Sequence, residues 1–126
     1  MNEPVRRSPL PAGFPNELAS AAYVAPNNEV AWRPSQTIQA VEWFGIHGYA
    51  VLGTKVFLPK QGSLQSLPYF QHVERTRAEE WGLFVARAAA ETLAYFKTCL
   101  PMFREEGDVY VNVTWGSEEE FRNLKI

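Results

Sequence analysis

Cysteine is almost missing. Cys99 stands alone in 126 residues, which excludes an intrachain disulfide and any metal site that one chain would build from several thiolates. Long apolar runs are missing too: none reaches the roughly 18 to 20 residues that cross a bilayer, so no membrane partner is expected. The opening residues, MNEPVRRSPLPAGFP, hold two arginines but no apolar stretch of the signal-peptide kind, and a cytoplasmic location is the expectation. There is no glycine-rich phosphate loop, because Gly45, Gly48 and Gly53 precede or enter a predicted strand instead of opening a helix. Serines occur without a G-x-S-x-G elbow. His47 and His72 are far apart, and neither has a second ligand at metal spacing. His72-Val73-Glu74 copies half of a zinc-deaminase signature, but the cysteine pair that completes it is absent. Basic residues do not interleave with aromatics along any predicted strand, so nucleic acid is not expected as a partner. Glu79 and Glu80 are neighbours on a predicted helix and point apart, a poor geometry for sharing a proton. No catalytic constellation remains, no cofactor or metal is implied, and a non-enzyme is expected.

What is present is the composition of one ordinary globular domain. Hydrophobic residues make up 46% and charged residues 21%, and the length suits a single core. The whole of 1–126 reads as one domain, with a proline-rich arm over 1–22 and a core over 30–126. Net charge is −2, too small for a global field, but residues 105–126 carry six acids against two bases, leaving that segment at −4 and the rest at +2. Aromatics are plentiful, with four Trp, five Tyr and eight Phe.

Pro34 to Pro59 is the most informative stretch. Pro34 suits a first helical turn, with Ser35 as a rival N-cap, and Ile38, Val41 and Phe44 recur at helical spacing. Gly48 supplies a stop. Ala50, Leu52, Val56 and Leu58 then share one strand face, with Thr54 as a polar exception, and Tyr49, Val51, Gly53, Lys55 and Phe57 share the other. Upstream, Asn16 to Ala22 predicts a short helix capped by Asn16 and ended by Tyr23, Val24 and a Pro26-Asn27-Asn28 turn, and Val30 and Trp32 make a very short strand. Downstream, Leu64 to Val73 reads as a second strand, confined to a sheet edge by Pro68. Thr76 to Cys99 predicts the longest helix, stopped by Pro101. Asp108 to Trp115 alternates as a strand, Gly116 breaks it, and Ser117 to Glu120 matches a capping box ahead of a last helix whose apolar contacts are Phe121 and Leu124.

The order β-α-β-β-α-β, with two principal helices and a short C-terminal one, predicts an α+β two-layer sandwich on a mainly antiparallel sheet, in the split βαβ manner. Ala50, Leu52, Val56, Phe84, Ala88, Phe96, Val109, Val111 and Val113 are expected in one core. Phe14 or Leu10 is expected to anchor the arm on its own domain or on a second copy.

IQAVEWFGIHGYAVLGTKVF resembles the small immunity proteins of bacterial polymorphic toxin systems, in the family numbered forty. Gly48-Tyr49-Ala50-Val51-Leu52-Gly53 and Val56 match that family's helix, glycine and Leu-Gly-Gly-Asp-Val pattern, Trp81 opens the second helix, and Val109 to Val113 stands where its valine-rich strand would. Thr54 replaces the second glycine and Lys55 the acid. The resemblance covers about residues 30–115 and implies a protein that binds and neutralises a toxin domain and catalyses nothing. On that reading Tyr110, Glu118, Glu119 and Glu120 are the candidate binding residues: the carboxylates would steer a basic partner and the aromatic would supply the desolvated contact. The alternative is a homo-oligomeric, for instance homodimeric, or small-ligand-binding α+β module.

Overall fold

The computed structural model describes residues 10–25 and 27–124. The chain enters the core through Phe14, whose ring lies 5.8 Å from that of Trp32, 4.9 Å from Trp43 and 5.5 Å from Phe44. Helix α1 (Asn16–Ala21) follows; Pro15 holds its N-cap position and no side chain caps it, so Asn16 is the first helical residue and not the cap. Leu18 is buried, and its carbonyl accepts a 2.7 Å hydrogen bond from the Trp32 indole. The described part of the arm is thus anchored on its own domain, with Leu10 also packed against the core. Pro4 and Pro9 lie outside the described residues.

Strand β1 (Tyr23–Val24) pairs with β2 (Val30–Trp32) as a small antiparallel hairpin. The sequence pattern ends a helix at Tyr23 and shows no strand there, because two residues are too few to display a period of two. Helix α2 (Pro34–Ile46) has Pro34 in its first turn after the N-cap Arg33, which displaces Ser35 from that role. It buries Thr37, Ala40, Val41 and Phe44, and Gly48 at φ +83° follows its end. Strands β3 (Ala50–Lys60) and β4 (Ser63–His72) are joined by Gln61 and Gly62 at φ +49° and +82°, a turn whose twist matches the strands it links.

Helix α3 (Trp81–Glu106) both begins and ends later than the sequence predicts. Its start is displaced because Ala78 takes φ +68°, which breaks helical continuity after Thr76. Its end runs past Pro101, which lies inside the helix and is exposed. The proline removes one intrahelical donor, but the buried stripe Phe96, Cys99, Phe103 continues through it at helical spacing, so packing outweighs the lost bond. Strand β5 (Tyr110–Gly116) precedes helix α4 (Glu118–Leu124). The capping box forms as expected: Glu120 N–H donates to Ser117 Oγ at 3.1 Å and Ser117 N–H donates to Glu120 Oε1 at 3.0 Å. The Leu124 side chain lies outside what is described.

The sheet runs β1-β2-β5-β3-β4, antiparallel at every described pairing. Because β5 is antiparallel to both β2 and β3, those two strands are parallel with β5 between them; β4 and β5 are likewise parallel around β3. The fold is an α+β sandwich of two interleaved split βαβ units. Helices α2 and α3 cross so closely that a Cβ on Gly45 would stand 2.9 Å from that of Ala89.

The core is split, not single. Val56, Phe96, Val109, Val111 and Val113 join Trp32, Val41 and Phe44 in one cluster, while Ala50, Phe84 and Ala88 join Val73 and Val85 in a second, against which Leu52 is only partly buried. Between them lies a polar belt. Thr54 Oγ1 donates to Gln71 Oε1 at 3.4 Å, Gln71 Nε2 donates to Thr92 Oγ1 at 3.1 Å, and the Thr92 hydroxyl reaches the Ala88 carbonyl at 2.8 Å. Thr54 and Thr92 are buried, so each needs these partners.

Candidate functional site

The face of the sheet opposite the main core is where exposed chemistry collects. Register puts Thr54 and Val56 opposite Val113 and Val111 on the core side, and Lys55 and Phe57 opposite Asn112 and Tyr110 on the outer side. Lys55, Ser66, Phe70, His72 and Thr114 are exposed, Phe70 at 71%. Asn112 is buried instead, its amide donating to the Val30 carbonyl at 2.9 Å.

Alternation on β3 fails at one point. Val51 pairs with Trp115 and Gly53 with Thr114, so Leu52 is an extra residue, a bulge. The bulge turns Val51, expected on the wetter face, fully into the core, and directs Leu52 to a hollow. Gly53 sits against the facing strand so closely that a Cβ there would stand 2.9 Å from the Gln71 carbonyl oxygen.

Two adjoining hollows of about 460 and 640 Å³ share Leu52 and His72 and together form a trough. It runs from Lys55, Phe70 and Thr114 on the outer sheet face to Val73, Ala78 and Phe121 at the end of β4. Its far wall, residues 74–78, belongs to an irregular strap between β4 and α3 that two arginines hold in place. Arg75 donates from Nε and Nη2 to the Glu79 carbonyl at 2.9 and 2.7 Å and lies over the Trp81 ring at 5.4 Å. Arg87 grips the Glu79 carboxylate through Nε and Nη2, both at 2.9 Å, and the Glu74 carbonyl at 2.6 Å. Those guanidinium bonds, helped by the Thr76 N–H, lower the Glu79 pKa to about 2 and raise that of Arg87.

The four sequence-derived site residues do not come together. Tyr110 lies at the start of β5, its ring 5.8 Å from Tyr23 and 5.1 Å below the Arg33 guanidinium, which also pairs with Asp108 at 3.2 Å. Glu118, Glu119 and Glu120 follow the other end of that strand, about 20 Å away at ~3.3 Å per residue. Two of the three have local duties: Glu120 closes the capping box and Glu118 pairs with Arg122 at 3.7 Å. His47 stacks on Trp43 at 4.0 Å, and His72 Nε2 lies 3.0 Å from Glu74 Oε1. Among the described residues no three of His, Cys, Asp and Glu gather as metal ligands would, and no helix is long and apolar enough to cross a membrane.

Sequence reasoning misses Leu52 as a lining residue of the trough and Phe70 as a surface aromatic. A glycine inside a strand pattern is a bulge signal, and Gly53 supplies it; the exposure of Phe70 has no local signal, whereas Arg77 is exposed as a charged residue off the apolar helical stripe is expected to be. The fold and this surface define a small α+β module with an open, aromatic-bearing sheet face. Models of known families, curated proteins and solved structures return no match to the chain.

Proposed function

We propose that this protein acts by binding another protein through the open face of its sheet, and that the partner is a toxin domain which it neutralises. The observation that carries the reading is the outer face itself, where Phe57 and Tyr110 pair on adjacent strands, the Tyr23 ring lies 5.8 Å from that of Tyr110, and Phe70 is exposed beyond them. Such aromatics supply large rigid contact areas, and a protein partner would desolvate them. The immunity-family resemblance over residues 30–115 supports the toxin as that partner, and on this account the protein works in the cytoplasm without cofactor or catalysis. Glu119 and the −4 C-terminal segment act at longer range, speeding encounter with a basic partner.

Co-expression with the product of the adjacent gene, followed by pull-down and growth rescue, tests this. Binding with rescue is the expected result; neither binding nor protection overturns it. A second reading, the ligand-binding module, is favoured by a hollow of about 360 Å³ with Arg33 and Arg104 among its lining residues and Ile38 and Phe103 beside them. Retention of a small molecule through purification would support that one instead.

A further inference from the structure

The trough between β3, β4 and the strap has a charge opposite to that of the protein as a whole. Its walls bring together Lys55, Arg75 and Arg77, against one carboxylate, Glu74, which already lies 3.0 Å from His72 Nε2. The net charge of the chain is −2, so this is a local cationic surface on an acidic protein. The floor is apolar, made by Leu52, Val73 and Phe121, and Phe70 stands at the rim. The trough is open along its length.

Resting on the reading that the protein binds another protein, we infer that this trough docks an extended acidic segment of the partner. The segment lies along the trough, its apolar side chains enter the floor at Leu52 and Phe121, and its carboxylates meet Lys55 and Arg77. Charge complementarity selects this occupant: a basic segment would face Lys55 and Arg77 beside the strap's Arg75, and a wholly apolar one would cover Lys55 and Arg77 without offering them an anion. The strap supports the assignment. Arg75 and Arg87 hold residues 74–79 in one conformation before binding, so a ligand meets a preformed wall.

The test uses the full chain and two pools of dye-labelled eight-residue peptides, one alternating Glu or Asp with mixed apolar residues and the other alternating Lys or Arg with the same residues. Fluorescence anisotropy should give saturable, salt-sensitive binding of the acidic pool and none of the basic pool. The double variant Lys55→Glu, Arg77→Glu, at two exposed positions, should weaken the acidic pool by about tenfold or more, while Glu42→Gln, at an exposed position of α2, leaves it unchanged. Equal binding of the two pools, no binding of the acidic pool, or indifference to the double variant in a protein whose melting temperature is unchanged would overturn the inference. A partner that binds and protects but ignores the double variant would overturn the trough alone and leave the protein-binding reading standing.

Discussion

Glu79 is the residue on which the strap turns. Its carboxylate accepts from Arg87 and from the Thr76 N–H, and its folded pKa is about 2 against an ordinary 4.5. A depressed carboxylate pKa contributes stability that is fully present above the ordinary value and is lost as pH falls toward the folded value. Stability should therefore decline between pH about 4.5 and about 2, and Glu79→Gln should flatten that decline while lowering stability at neutral pH. Urea midpoints across the range read both effects; an unchanged slope in the variant would contradict the assignment. The polar belt makes a second residue-scale prediction. Gln71→Ala should cost about 1 to 3 kcal/mol by removing partners from Thr54 and Thr92, whereas the combined Thr54→Val, Gln71→Leu, Thr92→Val should be neutral or stabilising because no buried polar side chain is left unpaired. Chemical denaturation of the two variants decides it. At this scale the sequence is uneven. Ser117 and Glu120 announce their cap because both partners lie within four residues, while Thr54, Gln71 and Thr92 meet only through the tertiary fold and leave no local pattern.

Among the elements, α3 and β3 depart most from their sequence signatures. Both departures come from packing that a single segment does not contain. The helix passes through Pro101 because Phe103 has a buried site next to Phe96 and Tyr69, with ring centroids at 6.2 and 5.5 Å. Pro101→Ala restores a donor and a good helix former at an exposed position, so it should raise stability by about 1 kcal/mol or more. Differential scanning calorimetry checks the sign, and a lower melting temperature would mean that the proline shapes a bend the core requires. On β3 the alternation read from the sequence holds for Thr54 and Val56 and fails at Val51, which the inserted Leu52 turns into the main core while Ala50 stays buried in the second cluster. The candidate site suffers more than the fold from this. The trough exists because Leu52 is that inserted residue, whereas Tyr110 and the three glutamates looked like neighbours only along the chain.

At the scale of the whole molecule, two split βαβ units share one sheet, and the N-terminal segment closes the core through Phe14. Deleting residues 1–15 should lower the melting temperature while leaving the solution mass that of the same oligomer, because Phe14 packs among Trp32, Trp43 and Phe44 of its own chain. A change in mass would mean that the segment also bridges copies. The central claim is that the open sheet face binds a protein. Its most direct test is the dissociation constant for the adjacent gene's product, measured by surface plasmon resonance for the wild type, for Phe57→Ala with Tyr110→Ala, and for Leu83→Ala on the exposed side of α3. The account predicts faster dissociation and at least about tenfold weaker binding for the sheet-face variant, with Leu83→Ala unchanged. Binding lost through Leu83→Ala and kept by the sheet-face variant would contradict it.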